Sequence, residues 1–122
     1  MKIYSFEKLD VWILSKELVV SIYTITKHFP RDEQFGRTNQ LRRAALSISS
    51  NIAEGSGRTS RKDFAHFLQM AYSSTLEVLQ QLIIAEELKY IEHTVLQEHR
   101  MKINEITLKL ASLRKQILKT GE

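Results

Sequence analysis

Ser60–Lys89 reads SRKDFAHFLQMAYSSTLEVLQQLIIAEELK, thirty residues without a proline or a glycine. Within it Phe64, Leu68, Ala71, Thr75, Val78, Leu82 and Ala85 recur every three or four positions, which is the period of an α-helix. Phe67, Tyr72, Leu76, Leu79 and Ile83 widen that stripe to about half the circumference. Ser60 stands three residues before Asp63, an arrangement similar to a capping box. The stretch predicts one helix over about residues 60–89, roughly 45 Å long.

Upstream, Gly55 and Gly57 are expected to end a helix over about 38–54, one of them in the left-handed region. That helix carries the stripe Leu41, Ala45, Ile48 and Ile52, with Thr38 as its N-cap. Residues 31–37 read as a turn in which Gly36 is free to take positive φ. Pro30 stops a first helix over about 7–29, since the residue before proline disfavours the helical region. Two apolar faces line it: Val11, Leu14, Leu18, Ile22, Ile25 and Phe29 on one, and Leu9, Trp12, Ile13, Val19, Val20 and Tyr23 on the other. Downstream, Thr94 to Gln97 spells a capping box. Leu96, His99, Ile103, Ile106, Leu110, Leu113 and Ile117 then form a heptad-like stripe to about residue 119. No stretch alternates with period two, and short connections favour antiparallel neighbours. The expected fold is all-α, an antiparallel up-and-down four-helix bundle, with residues 1–122 as a single domain.

Composition narrows the chemistry. The 122 residues are 43% hydrophobic, with one proline, four glycines and no cysteine. Disulfides, thiolate metal sites and cysteine nucleophiles are thereby excluded. The N-terminus lacks an apolar leader core, and no apolar run reaches the ~20 residues of a membrane span. A cytoplasmic location without membrane contact is expected. No two of His28, His66, His93 and His99 are spaced i,i+3 or i,i+4, so no metal site is expected; His99 falls on a core stripe and reads as a structural histidine. Glu86 and Glu87 lack the Glu-x-x-His partners of a di-iron bundle. Gly55-Ser56-Gly57-Arg58 follows a helix and lacks the Gly-Lys-Ser/Thr ending of a phosphate loop. No serine sits in a nucleophile-elbow pattern. No catalytic residue, cofactor or small-molecule substrate is expected.

Charge is the more informative signal. Net charge is +4 and the pI is about 9.4. Between Arg31 and Lys62 seven basic residues meet three acids, and between Arg100 and Lys119 Glu105 is the only acid. Arg42 and Arg43 lie off the core stripe of the second helix, and Arg58, Arg61 and Lys62 flank the next turn. A helix N-terminus there favours phosphate. Arg37, Arg42, Arg43, Arg58, Arg61 and Lys62 are therefore candidate contacts to a phosphate backbone. The alternative is a solvated face closed by ion pairs. No base-reading motif accompanies them. Apolar surface is also in surplus. Trp12, Val19 and Tyr23 on the first helix, and Leu46, Ser47, Ser50 and Ala53 on the second, are candidates for an oligomer interface. Alternatively the third helix lies deep and the first is simply wide.

A set of short runs adds a resemblance: Phe6 to Trp12, Phe29-Pro30 with Glu33 and Gly36, and above all Gln40-Leu41-Arg42-Arg43-Ala44-Ala45 followed by Ser47-Ile48 and Asn51 to Gly55. Arg58, Phe64, Phe67-Leu68, Ala71, Ser74, Glu77 and Leu82 complete it. On these residues, over about 6–90, the chain resembles the 23S rRNA-intervening-sequence proteins. Ser73 departs from the pattern, which has glycine there. The resemblance implies an antiparallel four-helix bundle, often a homopentamer, with no enzymatic activity. A similar bundle is the accessory protein of diversity-generating retroelements, a basic pentamer that binds nucleic acid and reverse transcriptase. Two functions are therefore carried forward. One is an oligomeric bundle binding RNA or DNA without reading sequence, RNA preferred; the other is a structural or adaptor protein that assembles with itself or a protein partner.

Overall fold

The computed structural model describes residues 1–120, of Thr120 the backbone alone. Four helices account for most of it: α1 (Asp10–Thr26), α2 (Asn39–Ser56), α3 (Arg61–Glu87) and α4 (His93–Thr120). Each packs on its neighbours in sequence and α4 returns to α1, closing an up-and-down bundle. No strand occurs among the described residues. Along the axis runs a core whose fully buried members include Leu18 and Ile22, Leu41, Ile48 and Ile52, Leu68 and Leu82, and Ile103, Ile106 and Leu110. Burying each such side chain stabilises by about 1.5–3 kcal/mol.

The stripes of α2, α3 and α4 enter this core as their periods require. On α1, Leu14 and Ile25 are only half-buried, and Ser15 and Thr26 are buried in their place. Both hydroxyls bond to their own helix, Ser15 to the Trp12 carbonyl at 2.7 Å and Thr26 to the Ile22 carbonyl at 2.7 Å. Satisfied in this way, a small polar side chain enters a core at little cost. His99 does the same across helices, with Nε2 2.6 Å from Ser21 Oγ and Nδ1 2.7 Å from the Val95 carbonyl.

The helix ends differ most from expectation. The chain does not enter the first helix at residue 7: Ser5–Lys8 form a separate 3₁₀ turn, and Leu9, at φ −76° and ψ 124°, breaks it from α1. The helix stops at Thr26, and Lys27 to Phe29 turn tightly before Pro30. Residues 31–38 are not an open turn but a 3₁₀ turn followed by a π turn. Gly36 sits there at φ −110°, not at positive φ. Thr38 stands in the N-cap position of α2, but it is itself helical and makes no side-chain cap bond. Among the described residues no glycine has positive φ; Gly55 is helical and buried, and Gly57 ends α2 at φ −90°. Ser60 is the N-cap of α3, accepting from the Asp63 N–H at 3.0 Å. Thr94 lies inside α4, whose opening N–H groups, those of Val95 and Leu96, donate to the Glu92 carbonyl. At α4 a backbone acceptor already in place displaced the side-chain cap.

The α3–α4 corner holds the one residue with positive φ among the described residues, Lys89 at 65°. The Tyr90 N–H bonds to the Ala85 carbonyl and the Lys89 N–H to the Glu86 carbonyl, both at 2.8 Å. That is a Schellman closure with lysine where glycine is usual. It aims Tyr90 at the other corner of the same end, where its hydroxyl donates to Glu33 at 2.8 Å and its ring packs on Phe29.

Candidate nucleic-acid interface

The six candidate cations do not form one patch. Arg43 and Arg58 are separated by fifteen residues of mostly helical chain, roughly 20 Å along the bundle. Arg37, Arg42 and Arg43 belong to the α1–α2 end, and Arg58, Arg61 and Lys62 to the α2–α3 end. Arg37 lies 3.5 Å from Glu33. Arg42 is half-buried and committed to α1: its Nε donates to Thr26 Oγ1 at 2.8 Å, an Nη donates to the Tyr23 carbonyl at 3.3 Å, and its guanidinium stacks 4.5 Å from the Tyr23 ring. Tyr23 is one of the last four residues of α1, whose carbonyls lack ordinary helical partners, so Arg42 acts there as a C-terminal cap. Arg43 is exposed and borders an open groove of about 590 Å³ between α2 and α3, which Phe35, Ser47, Ser74 and Glu77 also line.

At the other end Arg58 pairs with Glu54 at 3.2 Å and stacks on Phe67. Arg61 and Lys62 are exposed and make no ion pair among the described residues. They are the first two residues of α3, where the helix dipole presents its positive pole and favours anions. Asp63 offsets part of that conflict. Antiparallel packing of α3 on α4 then brings the C-terminal part of α4, with Arg114, Lys115 and Lys119, to this same end. These three were missed as site residues. The basic run from Arg100 to Lys119 marked them, but which run it would join depends on packing.

Acids stand at both ends. Glu33, Glu86, Glu87 and Glu92 gather at the α1–α2 and α3–α4 corners. At the basic end Glu54 is held by Arg58, and Asp10 lies 3.9 Å from Lys109.

The interface candidates divide as well. Trp12 is half-buried, edge-on to Phe6 with ring centroids 4.9 Å apart. Val19 is half-buried against the core and Tyr23 lies beneath Arg42. Leu46 is 40% exposed, Ser50 is exposed and Ala53 half-buried, while Ser47 bonds to Ser74 at 2.9 Å. On α3, Leu76 and Ile83 are exposed, so the width of that stripe is not explained by burial within one chain.

The family model of the 23S rRNA-intervening sequence protein matches residues 7–112. The chain belongs to this family. It is also similar to a crystal structure from Bacteroides thetaiotaomicron, described as a protein of unknown function from the S23 ribosomal protein family. That likeness has 27% identity and a TM-score of 0.80, and it covers 86% of this chain and 98% of the other. No curated protein matches. Neither the family description nor that of the Bacteroides thetaiotaomicron structure names a catalytic activity. Among the described residues no three His, Asp or Glu side chains gather as a metal site, and no helix is long and apolar enough to cross a membrane.

Proposed function

We propose that this chain is a non-enzymatic, oligomeric bundle of the cytoplasm that binds nucleic acid, RNA in preference to DNA, through the basic end of the bundle. The observation that carries this reading is Arg61 and Lys62: two cations without an ion pair among the described residues, on the positive pole of a helix, with Arg58, Lys115 and Lys119 at the same end. Such a cluster disfavours the isolated fold and is relieved by an anion. Phosphate contacts of this kind give strong salt dependence and no base readout. The RNA preference and a ring of five subunits are carried from the family. Exposed Leu46 on α2 and exposed Leu76 and Ile83 on α3 support self-association, and α1 contributes less, since Val19 and Tyr23 are engaged within the chain.

Gel shift of a single-stranded RNA across a salt series tests the reading. The double variant Arg61→Glu, Lys62→Glu is expected to weaken binding about a hundredfold at low salt and to flatten the salt slope by about 1–2; unchanged affinity rules the basic end out. Sedimentation at micromolar concentration tests the assembly, and a clean 14.2 kDa species would refute it. An adaptor that binds only protein is the second reading. The internal engagement of Arg42 and the Arg58–Glu54 pair favour it. Freshly purified oligomer with a protein-like 260/280 absorbance ratio at low salt would support that adaptor; co-purifying nucleic acid that high salt removes supports the first reading.

A further inference from the structure

Among the described residues, five large apolar side chains stay exposed on the outer face of α3 and α4: Leu76 and Ile83 on α3, and Met101, Leu108 and Leu118 on α4, with Met101 at 74% and Leu108 at 72%. The other exposed apolar side chains belong to the N-terminal segment or the corners, or stand singly, as Val20 and Leu46 do. On α4 the exposed positions are regular. Met101, Asn104, Leu108, Ala111, Lys115 and Leu118 are all exposed and follow one another in alternating steps of three and four, the spacing of a coiled-coil seam. The buried stripe from Leu96 to Ile117 is the first seam of this helix, and these six lie about 130–170° around from it. A bundle complete in itself puts charged and polar residues there. Tyr72 and Ala111 line one groove between the two helices, which sets Leu76, one turn further along α3, near the middle of the second seam.

We propose that a second copy of this chain docks on this face, α4 against α4 in antiparallel order, about a two-fold axis that crosses between Leu108 and Ala111. The proposal rests on the self-association read above and names its surface. The side chains select the register. Antiparallel, Met101 meets Leu118 of the second copy, Leu108 meets Ala111, large against small, and Asn104 meets Lys115, whose ammonium reaches the rim. Each pairing occurs twice, as a two-fold contact requires. On one flank Glu98 comes level with Lys119 of the second copy, and neither makes an ion pair within the described chain. Parallel packing instead sets Lys115 on Lys115, Glu98 on Glu98 and Glu105 on Glu105, and like charges brought together in an interface are costly. From Met101 to Leu118 the seam runs about 26 Å, and with α3 alongside the face is about 20 Å wide. That is roughly 500 Å² per copy, or the roughly 1,000 Å² in total that a small specific interface buries. Arg61 and Lys62 lie beyond the end of the seam, so the contact leaves them to solvent. A two-fold contact closes at two copies; it gives a dimer, or joins two rings.

The chain has no cysteine, so disulfide trapping in the full-length protein reads the register directly. In the double variant Met101→Cys, Leu118→Cys the two thiols stand about 26 Å apart on one helix, far beyond the ~7 Å between Cα atoms that a disulfide spans. Any disulfide therefore joins two chains. The double variant is expected to run as a covalent dimer on a non-reducing gel after mild oxidation, while each single variant stays mostly uncross-linked. A double variant that does not cross-link, or single variants that cross-link as readily, overturns the antiparallel seam. Sedimentation gives the second readout. Met101→Glu, Leu108→Glu changes only exposed positions and is expected to halve the mass of the native assembly, with helical circular dichroism unchanged. An assembly whose mass survives that variant overturns this face and leaves self-association standing. A native chain of 14.2 kDa overturns both and leaves the face to a partner of another kind.

Discussion

Gly55 lies inside α2 with ordinary helical backbone, and distance is what reserves the position for glycine. A Cβ there would stand 2.6 Å from the Cβ of Phe67 and 3.0 Å from Cδ1 of Phe64. The Phe67 Cβ cannot move without the α3 backbone, so the α2–α3 corner would have to open. Gly55→Ala is therefore expected to lower stability by about 1–3 kcal/mol, although alanine gains about 1 kcal/mol in helix propensity; an unchanged or higher urea midpoint would mean that the corner yields freely. Tyr90 illustrates a second residue-level effect. Its phenol is held above the ordinary value of 10.0, first by the hydrogen bond to Glu33, then by desolvation and by the charge of Glu33. The folded chain favours the protonated phenol. Its contribution is thus complete below pH 10 and is lost as pH rises through the raised value. Tyr90→Phe is expected to unfold at lower urea at neutral pH, and the gap to the native chain should close at alkaline pH. A gap that does not change with pH would show that the hydroxyl bond contributes nothing. The small, turn-seeking residue type marked Gly55 as special in the sequence, but its reason was misread as backbone freedom because the crowding comes from another helix.

Helix ends carry the element-level consequences. Lys89 adopts the left-handed conformation at the end of α3, which costs a β-carbon residue about 1–2 kcal/mol. Lys89→Gly removes that cost, less the extra entropy of a free glycine, and is expected to raise stability by about 0.5–1 kcal/mol in thermal unfolding. Loss of stability would instead mean that the lysine side chain contributes at the corner. Arg42 caps the C-terminus of α1 from α2. Arg42→Met is expected to lower stability by about 1–3 kcal/mol while leaving RNA affinity within twofold; a drop in affinity with stability intact would return Arg42 to the binding surface. The number and order of the helices were legible from their apolar periods. Their ends were not, because a cap depends on which acceptor reaches an N–H first. At α4 the Glu92 carbonyl forestalls Thr94, and at α2 a preceding π turn forestalls Thr38.

Across the whole bundle, the two cations that open α3 set stability against binding. Arg61 and Lys62 sit on the positive pole of α3, so Arg61→Glu, Lys62→Glu is expected to raise stability by about 0.3–1 kcal/mol per charge while weakening RNA binding. A calorimetric melt beside the gel shift checks both signs, and a variant that loses stability would show that the two cations serve the fold. Helical period reports the inward face of each element, because the bond from each N–H to the carbonyl four residues back is local. On that ground the amino-acid sequence by itself determined four helices, their core faces and the family resemblance carried by Gln40 to Gly55. Tertiary structure alone decided which distant residues meet. It joined Ser21 to His99 across 78 positions, divided the run from Arg37 to Lys62 between two ends, and added Arg114, Lys115 and Lys119 from α4 to one of them. Position along a bundle axis follows from the antiparallel register of whole helices, and no local stretch of chain encodes that register.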